Sequence, residues 1–184
     1  MKTPILTSLI AAAFCCAIPS TPVFAEDAAP ITDVDRATNA TFMETASQAN
    51  WTEVKLGELA QSRTKRGDVK AYADLIVQHH KNAQQSLKDI MDAAKIDLPK
   101  DIRVEQQAAI DDLKKTDDSQ FDRMFVKRMV VDHQAAVAAY EAFIASTKSP
   151  ELKNYANITV DHLRQHLASA QELAKVIGGI AEAR

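Results

Sequence analysis

Between Thr38 and Ile177 the chain meets helix-breaking chemistry at four places: "KRGD" around Gly67, "DLPKD" around Pro99, "TDDSQ" ahead of Phe121 and "KSPE" around Pro150. The intervals between them are filled with Ala, Leu, Lys, Gln and Glu and carry no β-branched runs. Such residues lose little side-chain freedom in a helix, so the intervals are predicted helical. The breaks also hold start signals. Asp68 and Ser119 are candidate N-caps, and Ser149-Pro150-Glu151 places a cap, a first-turn proline and an acid in order. Gly178-Gly179 is expected to end the last helix.

The predicted helices run from Thr38 to Arg63, Asp68 to Lys95, Asp101 to Lys115, Ser119 to Thr147 and Pro150 to Ile177. Four long helices and one short one predict an all-α fold: a four-helix bundle of two antiparallel hairpins joined by a short connector helix. "VKAYADLIVQHH" (Val69 to His80) is similar to "LKNYANITVDHL" (Leu152 to Leu163). Duplication of a hairpin explains the likeness, and shared helical composition also accounts for much of it.

Core-facing positions of bundle helices recur every three or four residues. In the first long helix this seam reads Phe42, Ala46, Ala49, Glu53, Leu56, Ala60, and in the second Val69, Ala73, Ile76, His80, Ala83, Leu87, Ile90. In the third it reads Val126, Val130, His133, Val137, Tyr140, Ile144, and in the last Leu152, Ala156, Thr159, Leu163, His166, Ala170, Leu173, Ile177. Each seam carries one strongly polar or ionisable residue, and three of the four are histidines. Glu53 lies fourteen residues before Gly67 and His80 thirteen after it; His133 and His166 lie seventeen and sixteen residues either side of Pro150. At about 1.5 Å per residue each pair is level, and both fall near the middle of helices about 42 Å long. All four side chains are expected to converge.

An unpaired glutamate in a core costs several kcal/mol, and adjacent imidazoles that could charge repel one another. A divalent transition metal relieves both by accepting their lone pairs. Glu53, His80, His133 and His166 form a tetrahedral or five-coordinate set for zinc first, with iron and copper as alternatives. A metal-free polar network stays open. Secondary candidates are His162, at i, i+4 spacing from His166, as an extra ligand, and Asp122 and Glu141 as outer acceptors for an imidazole N–H. His79, turned about 100° from His80, is expected at the bundle's edge. Asp132 is read as a surface or capping residue, and Trp51, Phe121, Phe125 and Phe143 as packing.

Residues 1–25 read as a signal peptide: Lys2, an apolar Ile5 to Ile18, and Val23-Phe24-Ala25 ahead of cleavage after Ala25. That implies a periplasmic or secreted protein. Residues 26–37 are expected to form a flexible leader, 38–178 the bundle domain, and 179–184 a tail. Cys15 and Cys16 both precede the cleavage point, leaving no thiol for ligation or nucleophilic attack. Without Lys2 the chain has 21 basic and 25 acidic residues and no basic block, which argues against nucleic-acid binding. No segment after residue 25 approaches ~20 apolar residues, so the mature chain is expected to lack a transmembrane span; peripheral association with an outer membrane stays open.

The stretches "NWTEVKLGELAQSRTKRGDVKAYADLIVQHHKNAQQSL", "FDRMFVKRMVVDHQAAVAAYE" and "LKNYANITVDHLRQHLASAQEL", with "LP" between the first two, resemble the bacterial domain-of-unknown-function family 4142 (DUF4142). The resemblance spans roughly Thr38 to Leu173. It implies an exported, ferritin-like helical bundle, of a kind often labelled a predicted outer-membrane or periplasmic protein. His80, His133 and His166 fall on the family's histidines and Glu53 on its glutamate. His79 stands where the family pattern has aspartate.

Four readings of function follow. The first is a metal-binding bundle that stores, buffers or senses a transition metal. The second is a metal-dependent oxidoreductase of ferritin type, against which no Glu-x-x-His occurs and carboxylates are few. The third is a structural or stress-related interaction module whose seam polars fix register. A haem held between two seam histidines is the fourth, with no C-x-x-C-H to support it. No nucleophile arrangement supports hydrolase chemistry.

Overall fold

Thr32 starts the first helix five residues earlier than the periodicity suggests. Its Oγ1 accepts the Asp35 N–H (3.2 Å) while Asp35 Oδ2 accepts the Thr32 N–H (2.8 Å), a reciprocal capping box. Part of the stretch read as leader is therefore helix. The computed structural model describes residues 32–97 and 102–182, with side chains through residue 178. The expected signal peptide, its cleavage site and the start of the leader lie outside the described residues. The helices are α1 Asp33–Arg63, α2 Gly67–Ala94, α3 Val104–Lys115, α4 Asp118–Ser146 and α5 Pro150–Glu182. No strand occurs among the described residues.

Four further boundaries differ from expectation, one of them the start of α3, which falls at Val104 with Arg103 as its cap rather than at Asp101. Arg66 and Asp117, rather than Asp68 and Ser119, take the extended cap positions of α2 and α4. Asp68 instead accepts the Val69 N–H and pairs with Arg66. α5 runs through Gly178-Gly179 because no described glycine takes a positive φ, so neither forms a left-handed stop. The expected cap at Ser149 is present, its Oγ accepting the Leu152 N–H at 3.3 Å. α2 ends on Lys95 in the left-handed region (φ 56°), with Ile96 N–H donating to Met91 O at 2.9 Å.

The four long helices close a ring in the order α1, α2, α5, α4, with α3 laid across α1 and α4. Arg63 fastens the end of α3 to α1 by donating to the Lys114 and Thr116 carbonyls (2.9 and 2.7 Å). Two apolar clusters fill the bundle. One, around Leu56, Ile76, Phe121, Phe125 and Met129, lies toward the α1–α2 turn. The other, around Met43, Leu87, Phe143, Tyr155 and Leu163, lies toward the α4–α5 turn. Between them is a belt of buried polar residues: Ser47, Asn50, Glu53, His80, Gln84, His133, Thr159 and His166.

Gly57 lets α1 and α2 approach closely just beside this belt. A Cβ there would meet Val77 Cγ2 at 2.7 Å and the Ala73 carbonyl at 3.3 Å. Phe121, Phe125 and Phe143 are buried as expected, whereas Trp51 is 38% exposed and lines a surface pocket together with Ile102 and Val104. Its α1 position faces away from the ring, in the notch between α1 and the start of α3. Ala49, assigned to the α1 seam, is exposed; Asn50 takes the inward position.

Candidate metal centre

His80 on α2, His133 on α4 and His166 on α5 are all buried, and one ring nitrogen from each lies within 4.8 Å of the others. Their levels follow from the helix rise, as the spacing from the turns predicts. What the spacing does not supply is the protonation pattern, and the hydrogen bonds fix that.

His133 Nδ1 lies 2.9 Å from the Met129 carbonyl, which can only accept. The proton is therefore on Nδ1, and in the neutral ring Nε2 carries a lone pair. That Nε2 faces His166 Nδ1 at 3.2 Å. His80 Nδ1 lies 3.0 Å from Asn50 Oδ1. Asn50 directs its Nδ2 toward Gln84 Oε1 and the Tyr155 hydroxyl, so its Oδ1 accepts and His80 Nδ1 donates. His80 Nε2 is left as a buried lone pair with no hydrogen-bond partner. Both rings are thus oriented by an acceptor on Nδ1 that leaves the lone pair on Nε2, unpartnered in His80 and directed at His166 in His133, the arrangement by which metal-binding imidazoles are held.

All three rings are held neutral. Burial, followed by the charge of His133 and then of His79 and His162, pushes His80 down to about 3. Burial and the neighbouring histidines, His80 first, push His166 down to about 2. His133 is lowered mainly by burial. Lone pairs are consequently available at neutral pH, where imidazolium would repel a cation.

Glu53, 7% exposed, sits on the other side of His80, in a cavity of about 300 Å³ between α1 and α4 that His80 and His133 also line. Ala135, Ala136 and Ala139 leave the room for it on α4. Burial, reinforced by the Asp132 charge and opposed by Arg128, raises the Glu53 carboxyl to about 8. Its Oε2 is buried and unpartnered. Glu53 is not among the residues whose ligand atoms fall within the 4.8 Å grouping; it stands beside it.

The remaining candidates separate clearly. His79 lies at the α2–α5 edge, yet its Nδ1 reaches His166 Nε2 at 3.0 Å. His162 stacks against His79 with ring centroids 4.3 Å apart and is outside the trio. Glu141 is paired with Arg164 on the surface at 2.8 Å. Asp122 precedes His133 by eleven residues, about 16 Å along the helix, which puts it toward Arg66 at the α1–α2 turn. Neither acid contacts an imidazole N–H in this arrangement. Asp132 pairs with Arg128 at the mouth of the Glu53 cavity.

The sequence model of the family described as "Domain of unknown function (DUF4142)" matches residues 24–173. The chain belongs to this family. The DUF4142 bundle is also similar in fold to a solved structure titled "Crystal structure of DUF305 fragment from Deinococcus radiodurans", at 18% identity and a TM-score of 0.67, over 81% of this chain and 98% of that one. No curated protein matches. Among the described residues no helix is long and apolar enough to cross a membrane.

Seam periodicity alone does not mark Asn50, Gln84 or His79 as site residues. The first two follow from the same three-to-four-residue spacing, since Asn50 precedes Glu53 by three and Gln84 follows His80 by four. His79 needed a different signal: a helix in a four-membered ring faces two neighbours, so its buried face is broader than one seam.

Proposed function

We propose that this DUF4142 bundle binds one divalent transition metal, zinc first, through His80, His133 and His166, with Glu53 closing the coordination, and serves outside the cytoplasm to buffer or store it. The observation that carries the reading is the unpartnered, buried Nε2 of His80, facing a neighbouring pair of neutral imidazoles. An ion bonded tetrahedrally at about 2.0–2.1 Å holds two imidazole nitrogens about 3.3 Å apart, and His133 Nε2 and His166 Nδ1 lie at 3.2 Å. His80 then needs only to lean inward. Binding would draw the Glu53 proton off, since a cation beside a carboxyl favours its ionised form.

A second reading has its own support. His79, His166 and His133 form a hydrogen-bonded chain ending on Met129 O that satisfies both inner rings without an ion. In that reading the belt fixes helix register in a structural or stress-related module. A ferritin-type oxidoreductase gains nothing from Glu53 as the belt's lone carboxylate.

Elemental analysis of untagged mature protein decides between them, with His80→Ala, His133→Ala and His166→Ala alongside. One ion per chain, lost in each variant, supports the metal site; oxygen uptake with added Fe(II) then tests for redox chemistry. Metal-free protein whose melting ignores both zinc and chelator removes the proposal.

A further inference from the structure

All five histidines of the chain join in one file across the bundle. His162 and His79 occupy the outer end, half-buried in a groove of about 400 Å³ between α2 and α5. His79 Nδ1 meets His166 Nε2 at 3.0 Å, His166 Nδ1 meets His133 Nε2 at 3.2 Å, and the His80 ring lies 5.4 Å from that of His166. The outer pair has no part in the trio. We propose that His79 and His162 are a loading port, which captures a divalent cation from solvent and passes it by way of His166 to the inner trio. This rests on the metal reading above.

The physical problem the port solves is dehydration. The trio is buried, and a hydrated cation must exchange water ligands for protein ones to reach it. Two half-exposed imidazoles replace some of them while the ion still faces solvent. His166 stands between both sets and substitutes for the next.

Charge favours this side of the bundle. The α2–α5 groove is lined by Asp89 and Glu151 and by no Lys or Arg. In the cavity on the opposite side, between α1 and α4, Asp132 is paired with the Arg128 guanidinium, so no acid there is left over to attract a cation except the protonated Glu53.

The hydrogen bonds also ready the port. Without an ion, His133 Nδ1–H is committed to Met129 O, so His166 Nδ1–H donates to His133 Nε2 and His79 Nδ1–H to His166 Nε2. His79 Nε2 is then a lone pair ready for a cation.

The test follows uptake of Zn²⁺ alone by mature protein, reading the loading rate, the release rate to a chelator and the final stoichiometry. His79→Gln and His162→Gln are compared with wild type, with far-UV circular dichroism confirming that each is folded. The port requires both rates to fall by the same factor, about tenfold or more, with one ion still bound at the end. Rates within about twofold of wild type in both folded variants overturn the port and leave the trio standing. Loss of the bound ion in these variants also overturns it, since they would then belong to the final site. A wild-type protein that takes up no zinc overturns the metal reading and the port with it.

Discussion

Stability of the metal-stripped protein should pass through a maximum near neutral pH, with two limbs of different origin. On the acid side, His80 and His166 titrate at about 3 and about 2 when folded against 6.5 in the unfolded chain. Below pH 6.5 the unfolded state takes up these protons and the folded state does not, so stability falls as pH falls. His133 shifts in the same direction. Glu53 works the other way: at about 8 folded against 4.5 unfolded, it retains a proton that the unfolded chain has lost. Its contribution is complete below pH 4.5 and is lost as pH rises toward 8. Each unmatched proton is worth about 1.4 kcal/mol per pH unit, so the histidines outweigh Glu53 at pH 5 by about 1.5 to 3 kcal/mol per unit, a margin that closes by about pH 7. Above pH 7 the unfolded histidines have largely lost their protons, so Glu53 dominates and removes about 1 kcal/mol by pH 8. Urea denaturation followed by circular dichroism at half-unit pH steps measures both limbs. Glu53→Gln should flatten the alkaline limb and leave the acid limb. A profile level from pH 5 to 8, or an alkaline limb that survives Glu53→Gln, refutes the argument.

Asn50→Ala removes the acceptor that orients His80 while leaving every proposed ligand in place; zinc affinity should fall about 10- to 100-fold, read by competition with a chromophoric chelator. Gly57→Ala gains about 1 kcal/mol of helix propensity but forces a contact against the stiff Val77 side chain and the Ala73 carbonyl, and overpacking at about 1–3 kcal/mol should win, lowering the urea midpoint. An unchanged or raised midpoint would mean that α1 and α2 part freely there. Lys95→Gly relieves a left-handed residue at the end of α2 and should raise stability by up to about 1 kcal/mol in the same assay.

The bundle and the level of its polar residues were legible because helix rise and turn position are properties of sequence spacing alone. His80, His133 and His166 converge for that reason. The helix ends were less legible. Thr32 and Asp35 spell a capping box, but they lie outside the apolar period that marks the helix body. Gly178-Gly179 has the residue type of a stop without the left-handed backbone that makes one. A single seam puts Ala49 rather than Asn50 inward on α1, whereas α1 is covered by α2, α4 and α3 and buries five polar side chains from Ser47 to Glu53. The bond from His79 to His166 has the same origin, since one residue's rotation moves a side chain from the ring's centre to the α5 side, not to solvent. Glu141 and Asp122 fail as outer acceptors for plainer reasons: one meets Arg164, and the other sits three turns away.

Because the polar belt divides the apolar clusters, the two ends of the molecule are sealed by different sets of side chains. A breathing motion that exposes Phe121 and Phe125 need not disturb Phe143 and Tyr155, and each end can open as its own cooperative unit. Amide hydrogen exchange of the stripped protein should then resolve two plateaus of protection, one for each end. Any cross-link at the waist, drawing α2, α4 and α5 to one point, would merge them into a single opening event.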